Sequence, residues 1–176
     1  MQSSNTDRTF MTIDGTDCPV NQKFDPTFYS HKFKDSGVRY EVGLCIRTGW
    51  IVWISGPYPC GSWSDLTIFR HDLKNQLLQN ELVEADQGYR GDEKALEPNI
   101  CFTQWQYDMK FILRARHEHV NQRLKTFAVL QNCFRHRLSQ NDLNKHRICF
   151  NVAAVITQLN IQTHSPLAQV FYQEYI

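Results

Sequence analysis

The sequence predicts a mixed α/β fold, a sheet flanked by helices. Three observations carry this expectation. Short β-rich runs cluster before residue 60 and recur at 81–86, a Thr-Gly turn joins two of them, and the second half of the chain shows apolar residues at helical spacing.

Taken in order, "TFMTID" (9–14) reads as a strand closed by Asp14-Gly15, and residues 17–37 read as a loop punctuated by Pro19, Pro26, Ser36 and Gly37. In "VRYEVGLCIRTGWIVWISG" (38–56), Val38, Tyr40, Val42 and Leu44 alternate with more polar partners, Thr48-Gly49 turns, and Trp50 to Ile54 return, which is a hairpin pattern. "GPYPCGSWSD" breaks the chain, and Ser64 or Asp65 caps a helix whose apolar face is Leu66, Ile68, Phe69, Leu73, Leu77 and Leu78. "ELVEAD" is a further strand ending on an acid. A helix is expected over 105–138, with Leu113, Val120, Leu124, Phe127, Phe134 and Leu138 on one stripe. A last helix over 147–161 is expected to bury Ile148, Val152, Val155, Ile156 and Leu159. The expected order is strand, hairpin, helix, strand, helix, helix, in a single domain over 1–176 with its core at about 9–161 and no separate DNA-binding module.

Composition narrows the class. Of 176 residues, 41% are hydrophobic and 21% charged, with a formal net charge of +1, so the chain reads as globular and any basic patch must be local. No apolar run has the length of a membrane span, and Met1 to Arg8 is polar, with no signal segment. A soluble intracellular protein with reduced cysteines is expected.

Three acids fall at the ends of predicted elements: Asp14, Asp65 and Asp86. Strand one runs up, the hairpin down and up, the helix down and the next strand up, as a right-handed crossover requires. The three acids then share one end of the sheet. On the long helix, Arg114, Glu118, Asn121 and Lys125 form a second stripe, about 130° from the apolar one. Each acid alone is also explained as a turn former or helix cap. Together, clustered carboxylates repel one another unless a cation intervenes, and oxygen donors are what Mg²⁺ or Mn²⁺ prefers. Two such ions serve phosphodiester cleavage.

The segments "DGTDCPV", "SHKFK…GVRYEVGLCIRTG", "GPYPCGSWSDLTIFR", "VEADQGYRG" and "RARHEHVNQRLKTF" resemble the DDE-type endonuclease domain of Harbinger/PIF-like transposases, over about 9–161. The resemblance implies an RNase H-like fold and divalent-metal cleavage and joining of DNA. It implies Asp14, Asp86 and Glu118 as catalytic, metal-binding acids, with Asp65 as a further acid able to reach the metals. Arg114, Glu118 and Lys125 also have the spacing of the Tyr-Arg-Glu-Lys signature of related bacterial transposases, with Phe111 at the Tyr position. That spacing implies DNA contacts for Arg114 and Lys125. Lys32, Lys34, Arg39, Arg116 and Arg123 are further cations for a DNA groove, although charged side chains are most often simply solvated. The resemblance also implies nuclear localisation in a eukaryote and a separate Myb/SANT-like partner that recognises DNA; self-association is compatible with it.

One other cluster has ligand spacing. Cys133, His136, His146 and Cys149 have the donor types of a tetrahedral Zn²⁺ site, or are core cysteines and turn histidines. Three functions follow: a two-metal DNA endonuclease, a domesticated non-catalytic DNA- or protein-binding derivative, and a truncated transposase copy.

Overall fold

The computed structural model describes residues 9–22, 24–96, 104–134 and 140–170. Among the described residues, six strands are β1 (Thr9–Pro19), β2 (Tyr29–Ser30), β3 (Asp35–Cys45), β4 (Ile51–Pro59), β5 (Leu82–Ala85) and β6 (Ala95–Leu96), and four α-helices are α1 (Asp65–His71), α2 (Gln104–Lys125), α3 (Ala128–Gln131) and α4 (Gln140–Thr163).

The sheet runs β2-β3-β1-β5-β6, with β4 pairing β3. β3 is antiparallel to β1 and β4, whereas β5 is parallel to both β1 and β6. This is the mixed sheet expected, with two very short strands in addition. Period-two alternation assigns its faces. Met11 and Ile13 of β1 join Phe69 and Leu73 of the α1 segment and Val83 of β5 in one core. Val38, Tyr40, Val42 and Leu44 of β3 join Val120 and Leu124 of α2 and Phe150, Ala153 and Ala154 of α4 in a second core on the opposite face. Those four β3 side chains are fully buried, and each contributes roughly 1.5–3 kcal/mol of apolar burial. In the hairpin loop, Gly49 takes φ 72°, a left-handed conformation that glycine adopts without strain.

Several expectations need correction. β1 does not stop at Asp14 but continues to Pro19, because residues 15–19 find antiparallel partners in 37–41. The expected loop over 17–37 therefore contains the end of β1, β2 and the start of β3. Asp17, read as a loop residue, is buried in β1 opposite Arg39, where an ion pair overrides the poor strand propensity of Asp. Helix α1 ends at His71, with a 3₁₀ turn at Leu73–Asn75, so Leu78 stays exposed.

The long helix expected over 105–138 breaks after Lys125, where Phe127 turns extended. The chain then folds back over the end of β1, and Phe134 N donates to Pro19 O at 3.0 Å. Leu138 lies outside the described residues.

Helix α4 buries a different face from the one expected. Inward stand His146, Phe150, Ala153, Ala154, Thr157 and Ile161, while Ile148, Val152, Val155, Ile156 and Leu159 are solvent-exposed. The small alanines let the helix approach the sheet. Phe150 stacks on Tyr40 at a ring separation of 3.7 Å, and His146 Nδ1 lies 2.7 Å from the Tyr40 hydroxyl. Hydropathy counts rank Ala, His and Thr below Ile and Val, but shape complementarity ranks them first here.

A truncation series separates the two faces. Phe150→Ala is expected to cost about 3–5 kcal/mol, and Val155→Ala less than about 0.5 kcal/mol, in urea unfolding of the monomer. Equal costs would refute the observed orientation of α4.

Candidate active site

The site forms where β1 outruns its neighbour. β5 ends at Ala85, paired with Ile13, so β1 from Asp14 onward has lost its parallel partner. Chain direction changes at that point, and Asp86 caps a 3₁₀ turn, its Oδ1 accepting from Gly88 N at 2.8 Å. Crevices at such strand ends are where open α/β sheets bind ligands.

A cleft of about 530 Å³ opens here between the β1–β5 end and α2, and Asp14, Asp86 and Glu118 all line it. Asp14 projects on the α2 face, where Asn121 Nδ2 donates to its Oδ2 at 3.1 Å. The α2 stripe of Arg114, Glu118 and Asn121 thus stands beside the first acid. Burial pushes the Asp14 carboxyl up to about 6; Lys32 opposes the shift, and the nearby Asp86 and Asp65 charges add to it. Glu118 is well exposed and pairs with Arg114 at 3.6 Å, one turn away.

Asp65 reaches the area from the opposite face and does not line the cleft. Its position depends on two glycines. A Cβ at Gly15 would lie 2.0 Å from Asp65 Oδ1, and one at Gly88 would lie 3.0 Å from both Asp65 Oδ2 and Asp86 Oδ1. Gly15, read as a tight strand exit, instead sits in mid-strand and leaves room for a carboxylate. Asp65 Oδ1 is buried with no hydrogen-bond partner, and Arg39 Nε stands 3.4 Å away. Burial raises its pKa, although Arg39 and Lys32 work against the shift.

Arg39 binds Asp17 more closely. Its Nε donates to Oδ1 at 2.7 Å and its Nη2 to Oδ2 at 3.1 Å, and Ser30 Oγ adds a bond at 2.6 Å. Burial alone would raise the Asp17 pKa, yet these bonds hold it below the usual carboxylate range. Arg39 is therefore an internal clamp and not a groove cation.

The other sequence-derived cations divide. Arg114 is exposed in the cleft wall. Lys32 and Lys34 are exposed, and Lys32 Nζ donates to Gly15 O at 2.8 Å. Lys125 is half-buried. Arg123 ties α2 to the segment after α4, donating to Ser165 O at 2.6 Å. Arg116 is fully buried, with its Nε donating to Ala168 O at 2.6 Å, so it cannot meet a phosphate. A clue was available in the sequence, since Arg116 lies only about 60° from Leu113 and about 40° from Val120 on the helical wheel.

Sequence reasoning missed Lys110, which lines the cleft and pairs with Glu84 at 3.3 Å, four residues before Arg114. It also gave Asn121 no role. His117 forms part of the cleft floor, its Nε2 2.7 Å from Thr12 Oγ1, and burial lowers its pKa to about 4, so it is neutral at physiological pH.

Of the Cys/His cluster, His136 lies outside the described residues. His146 is fully buried against Tyr40, while Cys133 is exposed. Among the described residues, no three His, Cys, Asp or Glu side chains converge closely enough to hold a metal as they stand. The donor chemistry of the acid cleft nevertheless fits a hard cation. The raised Asp14 carboxyl and the Asp86 and Glu118 carboxylates that share its cleft are hard oxygen donors.

Behind Asp65, Glu41 is also buried in the sheet, accepting from Trp53 Nε1 at 3.0 Å, and burial pushes its pKa up to about 8. A carboxyl with a raised folded pKa holds its proton more tightly when folded. Its stabilising contribution is complete below the unfolded pKa and is lost as pH rises through the folded value. Asp14→Asn should therefore raise Tm by roughly 5 °C at pH 8 and leave it unchanged near pH 4. Glu41→Gln should show the same sign, with its gain developing up to pH 9. Thermal melts across pH check both, and a loss of stability at high pH in either variant would contradict the assigned environments.

No curated protein and no solved structure matches the chain. The model of the DDE superfamily endonuclease family matches residues 12–158, a span that runs from Thr12 beside the first cleft acid to Gln158 in α4. On that match, which covers most of the chain, the protein belongs to the DDE superfamily endonuclease family.

Proposed function

We propose that this chain is the phosphodiester-cleaving module of a Harbinger/PIF-like transposase, with Asp14, Asp86 and Glu118 as its catalytic acids. One observation carries the reading: these acids, far apart in sequence, line a single cleft whose α2 wall also bears Lys110 and Arg114. Asp14 and Asp86 would hold Mg²⁺ or Mn²⁺ from the sheet end, and Glu118 would complete the donor set from the helix. Asp65 stands in reserve behind them, restrained by Arg39. Bound divalent ions supply Lewis acidity toward a phosphodiester.

The chain's own residues do the rest. Asn121 orients the Asp14 carboxylate through its amide. Arg114 and Lys110 neutralise DNA phosphates along the helix, which positions the backbone without reading sequence. His117 is a neutral floor residue that keeps Thr12 and α2 in register. Sequence recognition would come from a Myb/SANT-like partner, and the site of action would be the nucleus of a eukaryotic cell.

A second reading, a non-catalytic DNA-binding derivative, draws on Arg39 holding Asp65 and on the acids not being closed around one point. Nicking of supercoiled plasmid in Mg²⁺ or Mn²⁺ separates the two. Wild type should nick, and Asp14→Ala and Glu118→Ala should fall by on the order of 100-fold or more while still retaining DNA in gel shifts. Equal nicking by all three proteins would refute the assignment. DNA binding without nicking by wild type would favour the second reading.

A further inference from the structure

Two aromatic rings on α2 stand in water inside the cleft. Tyr107 is 61% and Phe111 69% exposed, and both line the cleft that holds Asp14, Asp86 and Glu118. Exposed aromatic rings forfeit a large apolar gain until something flat lies on them. The inner side of this part of the helix is already filled. Met109 and Leu113 are buried with Ile46, and Trp105 packs against that cluster. Those three helix positions lie about 120–160° around the axis from the two rings.

Tyr107, Phe111, Arg114 and Glu118 share one stripe instead, at i, i+4, i+7 and i+11. At a rise of about 1.5 Å per residue, Phe111 stands about 10 Å and Tyr107 about 16 Å along the axis from Glu118. Arg114, its side chain 81% exposed, lies between Phe111 and that acid. The stripe thus runs from ring to ring to cation to carboxylate.

We propose that Phe111 and Tyr107 stack on unpaired nucleobases of a DNA strand whose phosphates follow Arg114 toward the acids, so that the cleft takes locally melted DNA and not an intact duplex. This occupant rests on the cleavage reading of the cleft and specifies the form of its substrate. A nucleotide joins a flat apolar face to an anion, and the wall offers a flat apolar face next to a cation. In a paired helix each base is covered by its neighbours, so only an unstacked base presents its face to a ring. Phe111 carries no hydrogen-bonding group, so a phosphate or a base edge gains nothing from it; stacking is what its ring offers.

The far end of the stripe excludes a purely apolar occupant, which would cover the Asp14 and Glu118 carboxylates without compensating them. Lys110, paired with Glu84 at 3.3 Å, ties this stretch of α2 to β5 and holds the wall in place while a strand lies on it.

Fluorescence anisotropy with the full chain is the test, in Ca²⁺, an oxygen-seeking ion of looser geometry than Mg²⁺. Two DNAs of one sequence are compared, a perfect duplex and a duplex with a short unpaired stretch at its centre. Wild type should prefer the unpaired DNA by about 10-fold or more. Phe111→Ala should lose most of that preference and Phe111→Trp should keep it, with binding of the perfect duplex within about 2-fold of wild type throughout. Phe111→Leu keeps apolar bulk without a ring face and should behave like Phe111→Ala. Circular dichroism and Tm should match wild type in all three variants, because the ring is exposed. Equal affinity of wild type for both DNAs, a preference untouched by Phe111→Ala or fully kept by Phe111→Leu, or a lowered Tm in Phe111→Ala, the mark of a ring covered by the chain itself, would each overturn the proposal. Absence of any DNA binding would overturn it together with the catalytic reading. Plasmid nicking by wild type without a preference for unpaired DNA would overturn it alone.

Discussion

The pairing of β1 organises the molecule. It is held antiparallel by β3 along nearly its whole length and parallel by β5 along only its first half. The asymmetry fixes where the cleft opens. Up to Ile13 the strand is enclosed on both edges; from Asp14 it has a free edge, and a carboxylate there can be buried yet remain accessible from a cleft. Asp86 follows directly from the strand whose ending creates the gap.

The acids occupy two electrostatic settings that the sheet keeps apart. On the α2 face, Asp14 meets an amide and other carboxylates, which leaves its charge poorly compensated. On the α1 face, Asp17 and Asp65 share Arg39, a cross-strand neighbour set by the β1–β3 register. Removing one member of such a buried group leaves the others uncompensated, so Arg39 protects the fold as well as restraining Asp65. Gly15 links the two faces, since only a residue without a side chain lets the Asp65 carboxylate lie against the strand that bears Asp14.

The two helices on the second face divide their tasks. α2 gives Leu113, Val120 and Leu124 to the interior and Lys110, Arg114 and Glu118 to the cleft. α4 packs through Phe150 on Tyr40 and through small residues, and leaves its β-branched and leucine side chains in water. The smaller side chains fill the narrow space between helix and sheet, and the larger ones stay outside it.

By itself the sequence determined the order of the main strands and helices, the hairpin alternation from Val38 to Leu44 and a helix start at Ser64 or Asp65, because these depend on local propensity and short-range periodicity. Only the tertiary structure decided the rest. Asp17 became a strand residue because Arg39 lies opposite it, an interaction across 22 residues that no local rule detects. Arg116 went inside because Ala168 O and Ile46 O accept its guanidinium. α4 turned its most hydrophobic stripe outward because a periodic stripe says which residues share a side, and only packing against Tyr40 says which side faces in. Asp14 and Asp86 came to share a cleft with Glu118 through the early end of β5, a long-range register whose outcome pairing between strands settles.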